Sequence, residues 1–120
     1  MNIYSWLKEH AENRPDKTAV RYRDIALSYA DLFSLTARLG TALRDAGVGR
    51  GDHVTIVLPN TPEFVISYMA IVGIGAVAVP VNPSFTSREL AHVLQDSGSK
   101  ALIMETNNLS TYTDIPGRHP

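Results

Sequence analysis

The sequence predicts an α/β fold: three layers, with a mostly parallel sheet flanked by helices. Two observations carry this. The apolar runs "HVTIVL", "AVAVPV" and "ALIM" are of strand length and apolar throughout, as strands buried on both faces must be. Between them lie amphipathic segments long enough to be crossover helices, which parallel neighbours require.

Taken in order, Ile3, Trp6, Leu7, His10 and Ala11 recur at helical spacing, and Pro15 closes this first short helix. "TAVRYRD" and "IALSY" read as two short strands around a turn near Asp24, the first an exposed edge because Arg and Tyr interrupt it. Ser28, Tyr29, Ala30 and Asp31 have the spacing in which a hydroxyl and a carboxylate satisfy free amides at a helix start. Leu32, Leu35, Leu39, Leu43 and Ala46 then run down one face of that helix.

Gly47 stands where a left-handed residue ends a helix, and "GVGRGD" leads through a tight loop into "HVTIVL", which Pro59 stops. Asn60, with Glu63 three residues on and Pro62 in the first helical position, predicts the cap of a second long helix carrying Phe64, Tyr68, Ile71 and Val72. Gly73 and Gly75 close it and feed the strand from Ala76 to Pro80. Thr86, Ser87, Arg88 and Glu89 repeat the capping arrangement for a helix with Leu90, Val93 and Leu94 on its buried face, ended by Ser97 and Gly98. Residues 1–104 therefore form one α/β subdomain. Residues 105–120, "ETNNLSTYTDIPGRHP", read as a polar, turn-rich tail or an interrupted crossover, so the sheet stops before it is complete.

Composition narrows the function classes. The chain has 120 residues, 44% apolar and 19% charged, with a net charge of -1. That is an ordinary globular composition, without the basic concentration that nucleic-acid binding needs. There is no cysteine, which removes thiolate metal sites, disulfides and cysteine nucleophiles. The first residues lack an apolar signal core, and the longest apolar stretch, Met69 to Val81, falls short of the roughly 20 residues of a membrane span. A cytoplasmic location is expected.

Gly73, Gly75 and Ala78 match the G-x-G-x-x-A spacing of a dinucleotide-binding turn. Such a turn must leave a strand and enter a helix, so that phosphate meets free amides at the helix start. Here the order is helix to strand, and a helix end with close packing is the better reading. Gly47, Gly49 and Gly51 beside Arg50 likewise precede a strand, and read as a helix end and a turn. His10, His53, His92 and His119 are too scattered for a metal site. The serines lack a nucleophile elbow, Asp31, Glu63 and Glu89 are absorbed by helix starts and Asp52 by a turn, and Phe64, Tyr68 and Ile71 read as core. No catalytic, cofactor-binding or metal-ligating residue is expected.

The segments "LSYADL", "GVGRGDHVTIVLPNTPEF", "MAIVGIGAVAVPVNPSFTSREL" and "LQDSGSKALI" together resemble the opening of the adenylate-forming (AMP-binding) ligases. The resemblance runs from about Ile3 to Ile103. "VNPSFTSREL", with Asn82 before Pro83, is most similar to the fatty-acyl and aryl CoA synthetases. It implies an enzyme that joins a carboxylate to ATP as an acyl-adenylate and passes the acyl group to CoA, using ATP, Mg and CoA. It implies the family's long- or medium-chain fatty-acid ligase type, with the rest of such an enzyme as partner. None of that family's catalytic motifs has a match in these 120 residues. Pro59, Asn60, Gly75, Pro80 and Pro83 match as shapers of strand ends and turns.

The expectation is therefore a fragment that is inactive alone, and that covers its unfinished sheet by forming a homo-oligomer or strand-exchanged pair. Two other classes stay open: a self-contained interaction module and a small nucleotide-binding protein.

Overall fold

The computed structural model describes residues 3–104. The tail 105–120 and His119 lie outside the described residues. Nine elements follow in order: α1 (Ile3–Asn13), β1 (Thr18–Tyr22), β2 (Ile25–Ser28), α2 (Tyr29–Asp45), β3 (His53–Val57), α3 (Pro62–Gly73), β4 (Val77–Pro80), α4 (Ser87–Ser97) and β5 (Ala101–Met104).

β3 is central in a parallel three-stranded sheet of order β4-β3-β5, with Val54 opposite both Ala78 and Ala101. Its alternating side chains separate the two helical layers. Val54 and Ile56 pack with Leu43 of α2 and with Ala70 and Ile71 of α3. Val57 turns to the other face, where Leu90 of α4, Val81 and Leu102 join it. Thr55, also fully buried on that face, meets the Ser99 hydroxyl at 2.5 Å, which satisfies a polar group inside the sheet.

β1 and β2 form a separate antiparallel hairpin. A third cluster, Leu7, Leu32 and Met69 with Ala19 and Val20 against it, joins that hairpin to α1, α2 and α3. Leu7 is the one fully buried side chain of α1, while Ile3 and Trp6 stay exposed. Trp6 packs instead beside His10 and Tyr29, with ring centroids 4.3 and 5.9 Å away.

Three helix-to-strand junctions share one device. After α2, Val48 N donates to Leu43 O and Gly47 N to Arg44 O. After α3, Ala76 N donates to Ile71 O and Gly75 N to Val72 O; after α4, Ser99 N donates to Leu94 O and Gly98 N to Gln95 O. Each pair consumes the last free helical carbonyls and demands a left-handed residue, which is why Gly47, Gly75 and Gly98 have φ of 97°, 83° and 62°. Helix starts are equally local. Thr86 Oγ1 accepts from Glu89 N while Glu89 Oε1 accepts from Thr86 N, a complete capping box. At α2 the Ser28 hydroxyl accepts from Asp31 N.

Two expectations need correction. The cap of α3 is Thr61, not Asn60, and it makes no side-chain cap bond, so Glu63 is not half of a capping box. Pro62 decides this: its ring excludes helical backbone at the preceding residue, and Thr61 is extended at φ -124°, ψ 170°. The Thr61 hydroxyl donates backward to Pro59 O. The expectation that every strand is apolar and covered on both faces also fails at β4. Val77 is 43% exposed there, because β4 is a sheet edge and α3 covers only its other side.

Candidate ligand crevice at the strand ends

The path of the chain sets where a ligand can enter. α3, connecting β3 to β4, lies on the sheet face of Val54 and Ile56; α4, connecting β4 to β5, lies on the face of Val57. The chain thus leaves the carboxyl ends of adjacent strands β3 and β4 toward opposite faces, which opens a crevice between the two loops. A cleft of about 620 Å³ is found there. Leu58, Pro59, Asn60 and Phe64 form one wall, and Val81, Asn82, Pro83 and Ser84 the other.

Each wall is held by its own turn. Thr61 N donates to Pro59 O at 2.8 Å, and Asn82 Oδ1 accepts from both the amide and the hydroxyl of Ser84 at 2.9 Å. The base is fastened by Val81 N donating to Ile56 O. Among the described residues the lining carries no ionisable side chain. It offers apolar surface, two amide side chains and one hydroxyl, a chemistry suited to an uncharged part of a ligand rather than to phosphate or proton transfer.

The glycine-rich loops lie at the opposite, amino-terminal end of the strands. Their amides are occupied: Gly49 N donates to Asp52 Oδ2 at 2.7 Å, Gly51 N to Gly75 O at 2.9 Å, and Gly47 and Gly75 bond within their helix ends. Asp52, whose carbonyl also accepts from Val77 N, lies 3.4 Å from Lys100 Nζ. The bond from Gly49, followed by the Lys100 charge, holds its carboxyl below the ordinary carboxylate range. This arrangement ties the α2–β3 loop to the α3–β4 loop and to β5, and leaves no amide cradle for an anion.

The remaining candidates fall apart in space. His10 bonds the Trp6 carbonyl, and His92 pairs with Asp96 at 3.0 Å on the exposed face of α4. Among the described residues no group of three or more His, Asp or Glu side chains could hold a metal ion. Phe64 stacks on Tyr68 at 6.3 Å, yet Tyr68 is 37% exposed and Phe64 lines the crevice, so the stripe read as core is core on one side only. The sequence does not show the crevice: there Pro59 and Pro83 read as shapers of strand ends and turns, Asn60 as a helix cap and Asn82 as part of the family resemblance.

Comparison with known proteins gives this geometry a family. A model of "AMP-binding enzyme" matches residues 7–118. The feruloyl-CoA synthase of an Amycolatopsis species is 41% identical over 107 residues, covering 89% of this chain and 22% of the relative. The anthranilate CoA ligase AuaEII, solved with anthranoyl-AMP, superposes with a TM-score of 0.91 at 27% identity, over 98% of this chain and 23% of that one. The N-terminal domain of FACL13 from Mycobacterium tuberculosis superposes with a TM-score of 0.90 at 30% identity, over 100% of this chain and 31% of that one. The chain spans about a fifth of the length of the curated relatives it matches. With its α/β layers shared across those structures and the model matched from residue 7 to residue 118, the chain belongs to the AMP-binding enzyme family and resembles the N-terminal region of adenylate-forming acyl- and aryl-CoA ligases.

Proposed function

We propose that this chain supplies the N-terminal scaffold of an ATP-dependent ligase that activates a carboxylic acid as its adenylate and transfers it to CoA, and that it does not catalyse either step alone. The observation that carries this is the pairing of a family match over residues 7–118 with a crevice that has no ionisable side chain among the described residues lining it. Adenylation builds charge on phosphorus and on carbonyl oxygen, which calls for cations, a metal or free amides at that point. The described residues do not fit Mg-ATP, because the loop amides are already bonded and no acidic cluster is present among them. The charged machinery belongs to the remaining part of the enzyme, with which this chain forms a common core.

The substrate class is an acyl or aryl carboxylate, and the crevice contributes an uncharged wall beside it. The names of the feruloyl and anthranilate relatives favour an aromatic acid, and that of the long-chain-fatty-acid CoA ligase of Bacillus subtilis, 34% identical to this chain, keeps a long- or medium-chain fatty acid as the second reading. The protein works in the cytoplasm; no helix among the described residues is long and apolar enough to cross a membrane.

A chimera tests the proposal. Residues 7–104 replace their counterparts in the Amycolatopsis feruloyl-CoA synthase, and ferulate-dependent pyrophosphate exchange is measured. Retained exchange by the folded chimera is the expected result. A chimera that folds and binds ATP but fails to exchange overturns the scaffold role.

A further inference from the structure

The two edges of the parallel sheet are not alike. Val77 N donates to Asp52 O and Val81 N to Ile56 O, so along β4 the residues 77, 79 and 81 bond inward to β3. The alternate residues, Ala78 and Pro80, face outward. Proline has no N–H, so the outer side of β4 offers one donor, that of Ala78. A strand added there would lack a full ladder, which is how a proline protects an edge.

β5 carries no such block. β3 turns its even-numbered backbone groups toward β4, so its odd-numbered groups face β5, where Val54 and Ile56 stand opposite Ala101 and Ile103. Ala101 and Ile103 therefore bond inward, and Leu102 and Met104 turn both N–H and C=O outward. No strand among the described residues pairs with that outer side. All four residues of β5 are apolar, and Ala101, Ile103 and Met104 are only half-buried. The separate hairpin is protected in its own way, by a bulge between Thr18 and Val20 and by the exposed Arg21. Of the two edges of the parallel sheet, β5 alone is unguarded.

We propose that a second copy of this chain docks on β5, antiparallel and about a two-fold axis, joining the two three-stranded sheets into one of order β4-β3-β5-β5-β3-β4. An identical strand running the opposite way matches an outward row of alternating donors and acceptors. Charge selects the same direction. Lys100 precedes β5 and Glu105, outside the described residues, follows it in sequence; antiparallel strands set unlike charges at both ends, whereas parallel strands set like beside like. Pro80 on the far edge of each copy closes the assembly at two. A pair of four-residue strands buries far less than the roughly 800 Å² per partner of a tight complex, so the dimer is reversible, with a Kd of about 1–100 μM. The inference rests on the edge geometry and is independent of the ligase reading.

Moving the proline tests it. Sedimentation of the 120-residue chain over rising concentration should show monomer passing to dimer and no further. Met104→Pro gives the end of β5 the block that Pro80 gives the end of β4, and should raise Kd about 10–30-fold, since each dimer loses two ladder bonds. Pro80→Ala opens β4 and should carry assembly past the dimer. If Met104→Pro does not fold, Glu105→Lys serves in its place: like charges then meet at both ends, and Kd should rise about fivefold at low salt. Amide exchange of the unaltered chain locates the contact, with Leu102 and Met104 slowing as concentration rises and Ala78 unchanged. A monomer at every concentration, growth past the dimer without the Pro80 change, or an unaltered Kd in folded Met104→Pro or in Glu105→Lys overturns the proposal. So does protection that grows at Ala78, or protection of Leu102 and Met104 in a monomer, which puts another segment of the chain on that edge.

Discussion

Gly75 and Gly98 have the same job, but their surroundings differ. Both end a helix in left-handed backbone; at Gly98 a Cβ meets open space, whereas at Gly75 it meets Arg50 Nε at 3.4 Å, an ordinary contact. Gly98→Ala and Gly75→Ala should each cost about 1–2 kcal/mol from backbone strain, read by chemical denaturation. Gly73→Ala fails differently, since its Cβ collides with Tyr4 at a helical position. Its loss of Tm should shrink sharply in the Tyr4→Ala background, a coupling that a double-mutant cycle measures. Asp52 and Glu89 are both held below the ordinary carboxylate range, chiefly by backbone amides of Gly49 and Thr86. A depressed folded value contributes stability that is fully present above the unfolded value, near pH 4, and is lost as pH falls through the folded value. The pair Asp52→Asn and Glu89→Gln should therefore flatten the fall in Tm below about pH 4, as followed by calorimetry across acid pH. At this scale the sequence was readable wherever a bond spans four or five residues, as at Gly47, Gly75, Gly98 and Thr86. It misled at Asn60 because two good cap residues stand side by side, and only the steric demand of Pro62 chooses Thr61.

α4 shows what an element gains from such local bonds. Its capping box fixes the first turn, and that turn positions Leu90, wholly buried against Val57, Val81 and Leu102. Thr86→Ala should cost about 1 kcal/mol, and Leu90→Ala about 2–5 kcal/mol because it empties the centre of that cluster; urea unfolding separates the two. All four helices were legible, but the face each buries was legible only in part: Leu32 and Leu43 of α2 and Leu90 of α4 are buried as their spacing predicts, whereas Ile3 and Trp6 of α1 and Tyr68 of α3 are exposed. Strand partnership was not legible. The hairpin β1–β2 pairs only with itself, and β4 became an edge with Val77 exposed, both decided by where distant segments dock rather than by residues within the strand.

For the molecule as a whole, the crevice is assembled from two loops about twenty residues apart in sequence and brought together only by the β4-β3-β5 order. No window of sequence contains it, which is why its residues read separately as a helix cap, a core stripe and turns. The same order leaves β4 and β5 as edges with unpaired backbone, which we expect to be covered by the rest of the enzyme or, in isolation, by a second copy. Sedimentation equilibrium of the chain should show a dimer or higher oligomer at micromolar concentration, and a stable monomer would contradict that expectation. The central claim is that these residues build the scaffold of a ligase and hold none of its phosphate chemistry. It is tested most directly by carboxylate-dependent exchange of labelled pyrophosphate into ATP, using the purified 120-residue chain with Mg and a panel of aryl and acyl acids. No exchange above the protein-free background is predicted, and exchange that tracks the concentration of this chain would contradict the account.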